Sequence, residues 1–367
     1  MRTNNYLSTV VLGLIAACLT SCGNYYRITS RIHSDGSMYR EVFALGDSTF
    51  MAGNMNHSPF FFSIDSGWKL TRLDSTVSFN FWGEQRNLNV KVSRTLAQVG
   101  VPCFETVQGK EFMKPLVMPH ESLKKQFRWF YTYHTYKAVY EELPYKGPVP
   151  LDRYMTKEEQ QIWFKGDKQA CAGLNGMELN SRLDDIQSSF WQWYNKTQFE
   201  LCYETINEFV SLQKEKEQFV NTLDTCKETV YNKFFAKMDS EMEEISLEAV
   251  CRHFDEQVKT AFFMALYQDN KAKMEATLEE KSKTIQLFDY TIWFEVFMPG
   301  KVLAVNEAGI VQKSDAIVWK VDAFRLLSGE YVLRAESRTV NYWAFAISIL
   351  TAILVGIGCW KLSKRRS

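Results

Sequence analysis

Nineteen residues near the C-terminus, Tyr342–Trp360 (YWAFAISILTAILVGIGCW), carry no charge, and Lys361, Lys364, Arg365 and Arg366 follow at once. As a helix this run is about 28 Å long, which matches a bilayer hydrocarbon core of about 30 Å. Tyr342 and Trp343 mark one border and Trp360 the other, where interfacial rings are enriched. Basic flanks stay cytoplasmic, so the sequence predicts a spanning helix over 341–361, a cytoplasmic tail over 362–367, and all preceding residues outside. A buried core helix of a soluble fold is not expected from a run of this length with these flanks.

The other end points to a membrane too. Residues 1–22 run from Arg2 through an apolar stretch, Leu7–Ala17, into small residues, which is the layout of a secretion signal. Leu19-Thr20-Ser21-Cys22 resembles the bacterial lipobox, with Ile15-Ala16-Ala17-Cys18 a poorer second match. That resemblance implies a signal peptide over 1–21 and an acylated Cys22 at the mature N-terminus. Acyl chains and a spanning helix in one bilayer would hold both ends of the 22–340 ectodomain at the lipid surface. The expected location is a bacterial cytoplasmic membrane with the ectodomain periplasmic.

Within the ectodomain the hydrophobic period changes twice. From Tyr25 it is near two: Tyr25–Ile32 and Met38–Leu45 flank Ser34-Asp35-Gly36-Ser37, a hairpin signal, and Val77–Trp82 and Leu88–Ser93 alternate. Lys125–Leu143 is rich in aromatics; Phe127, Trp129, Tyr131 and Tyr133 share a face at period two, which reads as one long strand, with a helix as the alternative. Pro144, Gly147, Pro148 and Pro150 then break the chain. Thr156-Lys157-Glu158-Glu159 has the form of a capped helix start, and apolar residues recur at helical spacing from Leu183 to Ala265. Strand-like alternation returns in Phe288–Phe297, Ala316–Val321 and Tyr331–Ser337. The predicted fold class is α+β: an antiparallel sheet domain made of 22–150 and 285–340, a helical insertion over 151–284, and one C-terminal transmembrane helix.

Formal charge is zero, with 43 basic and 43 acidic residues. That balance gives no basic face for nucleic acid. It is also a cancellation: 151–284 holds 17 basic and 25 acidic residues, a net −8, against a net +3 for the rest of the ectodomain.

Few residues suggest chemistry. Phe43–Ser48 ends in Gly-Asp-Ser and resembles the nucleophile block of GDS-type serine hydrolases, which would make Ser48 the nucleophile. That chemistry needs a histidine base and a carboxylate to orient it, yet none of the five histidines follows an Asp by three residues. No metal, cofactor or supported catalytic constellation is expected, and a turn at the end of a strand is the plainer reading of 46–48. Of the cysteines, 202, 226 and 251 fall on apolar helix faces and read as buried thiols, with one bridge between neighbouring helices as the alternative. The aromatic stripe Trp129, Tyr131 and Tyr133 is the candidate ligand-binding face for a lipid, with plain core as the competing reading.

Pro299-Gly300, Asn306 and Val318-Trp319, shortly before the terminal apolar helix, form a pattern that resembles the LppM-type bacterial lipoprotein domain, over about 290–360. The resemblance implies a small sheet-plus-helix domain tethered to the membrane and facing lipid. The resulting expectation is a non-enzymatic envelope lipoprotein that binds lipid or envelope glycolipid. The alternative is a scaffold whose acidic bundle docks an envelope protein; a hydrolase at Ser48 is the remote third.

Overall fold

A computed structural model describes residues 24–366, apart from 82, 144, 168–170, 214–215, 242–243, 307–308 and 313. The expected signal peptide and Cys22 lie outside the described residues. The chain divides into two compact units, one made of 1–143 and 289–367 and the other of 144–288.

The first unit is built from eleven strands: β1 (Asn24–Ile32), β2 (Met38–Ala44), β3 (Lys69–Phe81), β4 (Glu84–Leu96), β5 (His120–Arg128), β6 (Tyr131–Tyr140), β7 (Tyr290–Phe297), β8 (Lys301–Val305), β9 (Ile310–Val311), β10 (Ala316–Asp322) and β11 (Tyr331–Val340). They form two sheets, ordered β3-β4-β2-β1-β7-β10-β9 and β5-β6-β11-β8. All pairings are antiparallel except β1 with β7, where the two halves of the unit meet. The Asp35-Gly36 hairpin forms as its sequence requires: Gly36 adopts φ +98°, and Asp35 accepts from the Ser37 N–H at 2.8 Å.

Alternate residues of each sheet turn inward: Met38, Arg40 and Val42 on β2, and His134, Tyr136, Ala138 and Tyr140 on β6 are all buried. Arg40 is an uncommon core residue. It makes a bidentate pair across the sheets with Glu121 of β5 (2.7 and 2.9 Å), and donates from Nε to the Ser30 hydroxyl at 3.0 Å. The Tyr136 hydroxyl donates to the same carboxylate. Burial works against the Arg40 charge, but Glu121, with Cys103 and Tyr136, outweighs it and holds the guanidinium pKa well above its usual value.

Contacts between the sheets keep their strands in step. Gly36 lies beside the Leu123 and Lys125 side chains, Arg40 meets Glu121, and the Trp319 indole donates to Asn306 Oδ1 at 2.8 Å. Asn306 in turn receives the Arg334 N–H and donates to the Val332 carbonyl. The Asn306 and Trp319 of the sequence pattern are therefore a structural knot, and Gly300, at φ +74°, is needed because a Cβ there would strike the Arg338 carbonyl. The same registers place Asn24 at the end of the unit away from Val340. Trp319 is level with Arg334, Ile28 lies in the row of Trp319, and Asn24 is four residues beyond. At about 3.3 Å per residue, Asn24 stands about 30 Å from the level of Val340. Asn24 stands at that far edge because β1 runs parallel to β7, while Cys22, whose acylation would tie the N-terminal end to lipid, lies outside the described residues.

The second unit is helical: α1 (Gly176–Ser211), α2 (Lys216–Glu241), α3 (Leu247–Val258) and α4 (Phe262–Lys281). Asn175 and Glu178 form a capping box at the start of α1, and Ser246 caps α3. Thr156 caps as its sequence predicts, with Glu159 reciprocating, but its helix stops at Gln160 and gives way to a wider turn that Gly166 ends. The four helices share one core, with Phe199, Ile206, Val250, Phe254 and Phe263 fully or nearly fully buried. Cys202 and Cys251 are free thiols within it, and burial pushes Cys202 up to about 12, so it stays protonated. The 25-residue helix α5 (Tyr342–Arg366) closes the chain and belongs to the first unit; its Tyr342–Leu362 stretch is long and apolar enough to cross a membrane.

Candidate functional site

One residue, Asn341, separates the last strand from α5. Its backbone N–H donates to the Phe130 carbonyl at 2.9 Å. Its side-chain amide donates to the Arg128 and Trp129 carbonyls at 3.2 and 3.1 Å and accepts from the Thr132 hydroxyl at 3.0 Å. These are the carbonyls of a tight turn at Trp129-Phe130, which joins β5 to β6. The expected long strand over 125–143 is therefore a hairpin. The turn residues lack the usual Gly, Asn or Pro, and Asn341 supplies the missing hydrogen bonds from outside.

Around this junction the rings converge on α5. Phe127 stacks on Trp343 with centroids 6.0 Å apart, Trp129 meets the same ring edge-on at 5.5 Å, and Phe130 lies 4.5 Å from Phe345. The Trp129 indole N–H donates to the Ser348 hydroxyl at 2.8 Å. Even so, Phe127, Trp129 and Phe130 remain 57%, 46% and 38% exposed.

Of the three candidate ligand-binding residues, Trp129 thus sits in the turn. Tyr131 and Tyr133 are half-buried on the outer face of β6, Tyr131 edge-on to Phe345 at 6.3 Å. Basic side chains cover both rings: Arg338 lies 4.5 Å from the Tyr131 centroid and Arg128 5.2 Å from that of Tyr133. Cross-strand registry sets Lys301 directly opposite Arg338. In the four rows of this sheet nearest α5 the charged residues are Lys125, Arg128, Lys301 and Arg338, with no carboxylate. Lys125 faces Asp35 of the other sheet, whose carboxyl is held low by Ser37 first and by Lys125 among lesser causes. His134, on the inner face of these rows, bonds Thr339 at 3.1 Å, and burial followed by Lys125 pushes its imidazole down, so it adds no charge at neutral pH. Phe130, Asn341 and Arg338 are the members of this site that pattern reading missed, while the pattern gives Phe127 only as part of the aromatic stripe. A polar residue wedged between a strand and an apolar helix was the available signal.

The other candidates resolve structurally. Asp47 caps the short helix Ser48–Met51, accepting from the Phe50 N–H at 2.7 Å, and its second oxygen lies 3.4 Å from His57 Nδ1. The Ser48 hydroxyl has no histidine partner among the described residues. Asp47→Ala is expected to cost about 1 kcal/mol, read as faster amide exchange at Phe50; unchanged exchange there would remove the capping role. A cleft of about 390 Å³ opens beside Cys103, Phe104, Lys114, Met118 and His120, away from the aromatic stripe. No group of three or more metal-ligating side chains occurs among the described residues. Comparison of the chain with protein-family models, curated proteins and solved structures gives no match.

Proposed function

We propose that the chain is a non-enzymatic, membrane-anchored envelope protein that binds anionic lipid or glycolipid headgroups on the outer face of its four-stranded sheet, where that sheet meets the bilayer. The observation that carries this reading is Arg338 directly opposite Lys301 at the membrane edge. Like charges placed opposite one another destabilise a sheet, and a phosphate between them turns that cost into a bidentate site. Arg128, Tyr131 and Tyr133 flank the pair, so the predicted aromatic residues become the walls of a headgroup site at the surface, with no enclosed cavity required. The single-residue junction supports the reading, since it holds the sheet against the lipid without a flexible stalk. The LppM-like pattern over 290–360 leans the same way.

By the basic tail the unit faces the periplasm. The lipobox reading would add acyl chains at Cys22, but two residues reach only about 7 Å from Asn24, so α5 is the tether to this bilayer.

Native mass spectrometry of the full-length chain, gently extracted in detergent, tests the reading. Retained anionic lipid is the expected result. Each basic residue near a membrane surface is worth about 1 kcal/mol, so Lys301→Gln with Arg338→Gln should cut retention roughly thirtyfold. A chain that carries no lipid would sink the proposal and leave the acidic bundle, as a docking unit for a protein partner, the better reading.

A further inference from the structure

We infer that the tip of the β5–β6 hairpin is a second membrane element, its Phe127, Trp129 and Phe130 rings inserted among the lipids of the leaflet at the N-terminal end of α5. The inference rests on α5 spanning the bilayer, as the proposed function does, but not on headgroup recognition.

Length decides the matter. Trp129 is hydrogen-bonded to Ser348, six residues inside α5, or about 9 Å below Tyr342. If the bilayer began only beneath the hairpin, the span would be Ile349–Leu362, about 21 Å, against a hydrocarbon core of about 30 Å. Tilt makes the shortfall worse. With Tyr342 at the boundary, Tyr342–Leu362 covers about 31 Å, and the indole is carried into the leaflet with it.

The polar groups of the tip are arranged for that setting. Backbone groups in lipid need internal partners. The Arg128, Trp129 and Phe130 carbonyls all receive hydrogen bonds from Asn341, and the indole N–H is satisfied by Ser348. What stays uncovered is apolar: three neighbouring exposed rings, continuous with the lipid-facing surface of α5. Isolated exposed apolar residues are ordinary, whereas a contiguous aromatic cluster attached to a spanning helix has the lipid as its natural partner. Arg128, exposed at the base of the tip, sits where its guanidinium reaches the headgroup phosphates.

The test uses the full-length chain in phospholipid nanodiscs of phosphatidylcholine and phosphatidylglycerol. A photoreactive benzoylphenylalanine replaces Phe127 or Phe130, and in a control it replaces Leu45, which is exposed at the opposite end of the unit. Irradiation should give a lipid adduct, read as a phospholipid mass on the intact chain, at 127 and at 130, and none at 45. Absence of adducts at both hairpin positions in a chain with an unchanged unfolding profile would overturn the insertion. Retained anionic lipid without hairpin adducts would keep the headgroup reading and reject this one; adducts without retained lipid would do the reverse.

Discussion

Glu121→Ala should destabilise the β unit by about 3–5 kcal/mol, because it leaves a buried guanidinium without its counter-charge. Arg40 is fully buried and the Glu121 side chain nearly so. The Ser30 hydroxyl and the Cys103 thiol are weak substitutes for the lost bonds. Tyr136 would lose its acceptor at the same time. For a unit of this size the loss corresponds to about 10 °C in the midpoint of its thermal transition. The paired replacement Arg40→Met with Glu121→Leu should recover most of that, since removing both charges also removes the desolvation cost. Thermal unfolding of the detergent-solubilised chain reads both variants. A Glu121→Ala midpoint within a degree or two of the parent would mean that solvent reaches Arg40.

This pair also marks where the sequence stops being informative. Met38, Arg40 and Val42 alternate in step, so period two assigns Arg40 to the buried face. Nothing in that period says which residue of a second sheet neutralises it, 81 positions away. The same limit explains why the number of sheets was not legible: alternation reports faces, while partner choice depends on long-range packing such as the β1–β7 pairing, whose Arg27–Glu295 ion pair joins residues 268 apart. The Trp129-Phe130 turn is a sharper case. Its residue types predict continuation of a strand, and the hydrogen bonds that close it come from Asn341, 212 positions away. Local signals fared well where the stabilising partner is also local, as at the Asp35-Gly36 hairpin, the Thr156 capping box and the helical spacing of α1 and α3. Tyr131 and Tyr133 were legible as a candidate face because aromatic residues at period two stand out. The Arg338–Lys301 opposition depends on strand registry and could not be read from spacing.

Leu354→Arg should abolish most of the membrane insertion of α5. Eight Leu, Ile, Val and Phe residues lie between Phe345 and Ile357, each worth about 0.3–0.6 kcal/mol toward insertion, so together they supply about 2–5 kcal/mol. One arginine near the helix centre costs about 3 kcal/mol, and the leucine it replaces is lost as well. The sum falls near zero, and insertion becomes marginal. Cys359 reports the outcome, since it lies on the exposed surface of α5 three residues before the end of the apolar stretch. In the parent chain lipid should shield it from a membrane-impermeant maleimide; in Leu354→Arg the peptide carrying Cys359 should label, and in Leu354→Met it should not. Equal labelling of the arginine and methionine variants would mean that the helix is not held by its apolar length, and a parent chain that labels freely would mean that it does not cross. The hairpin makes the experiment more demanding, because Phe127, Trp129 and Phe130 hold the first turns of α5 through Trp343, Phe345 and Ser348. Failure of the span should therefore leave the Asn341 junction intact and release only the helix beyond Ser348, so that labelling rises at Cys359 while the β unit keeps its thermal midpoint.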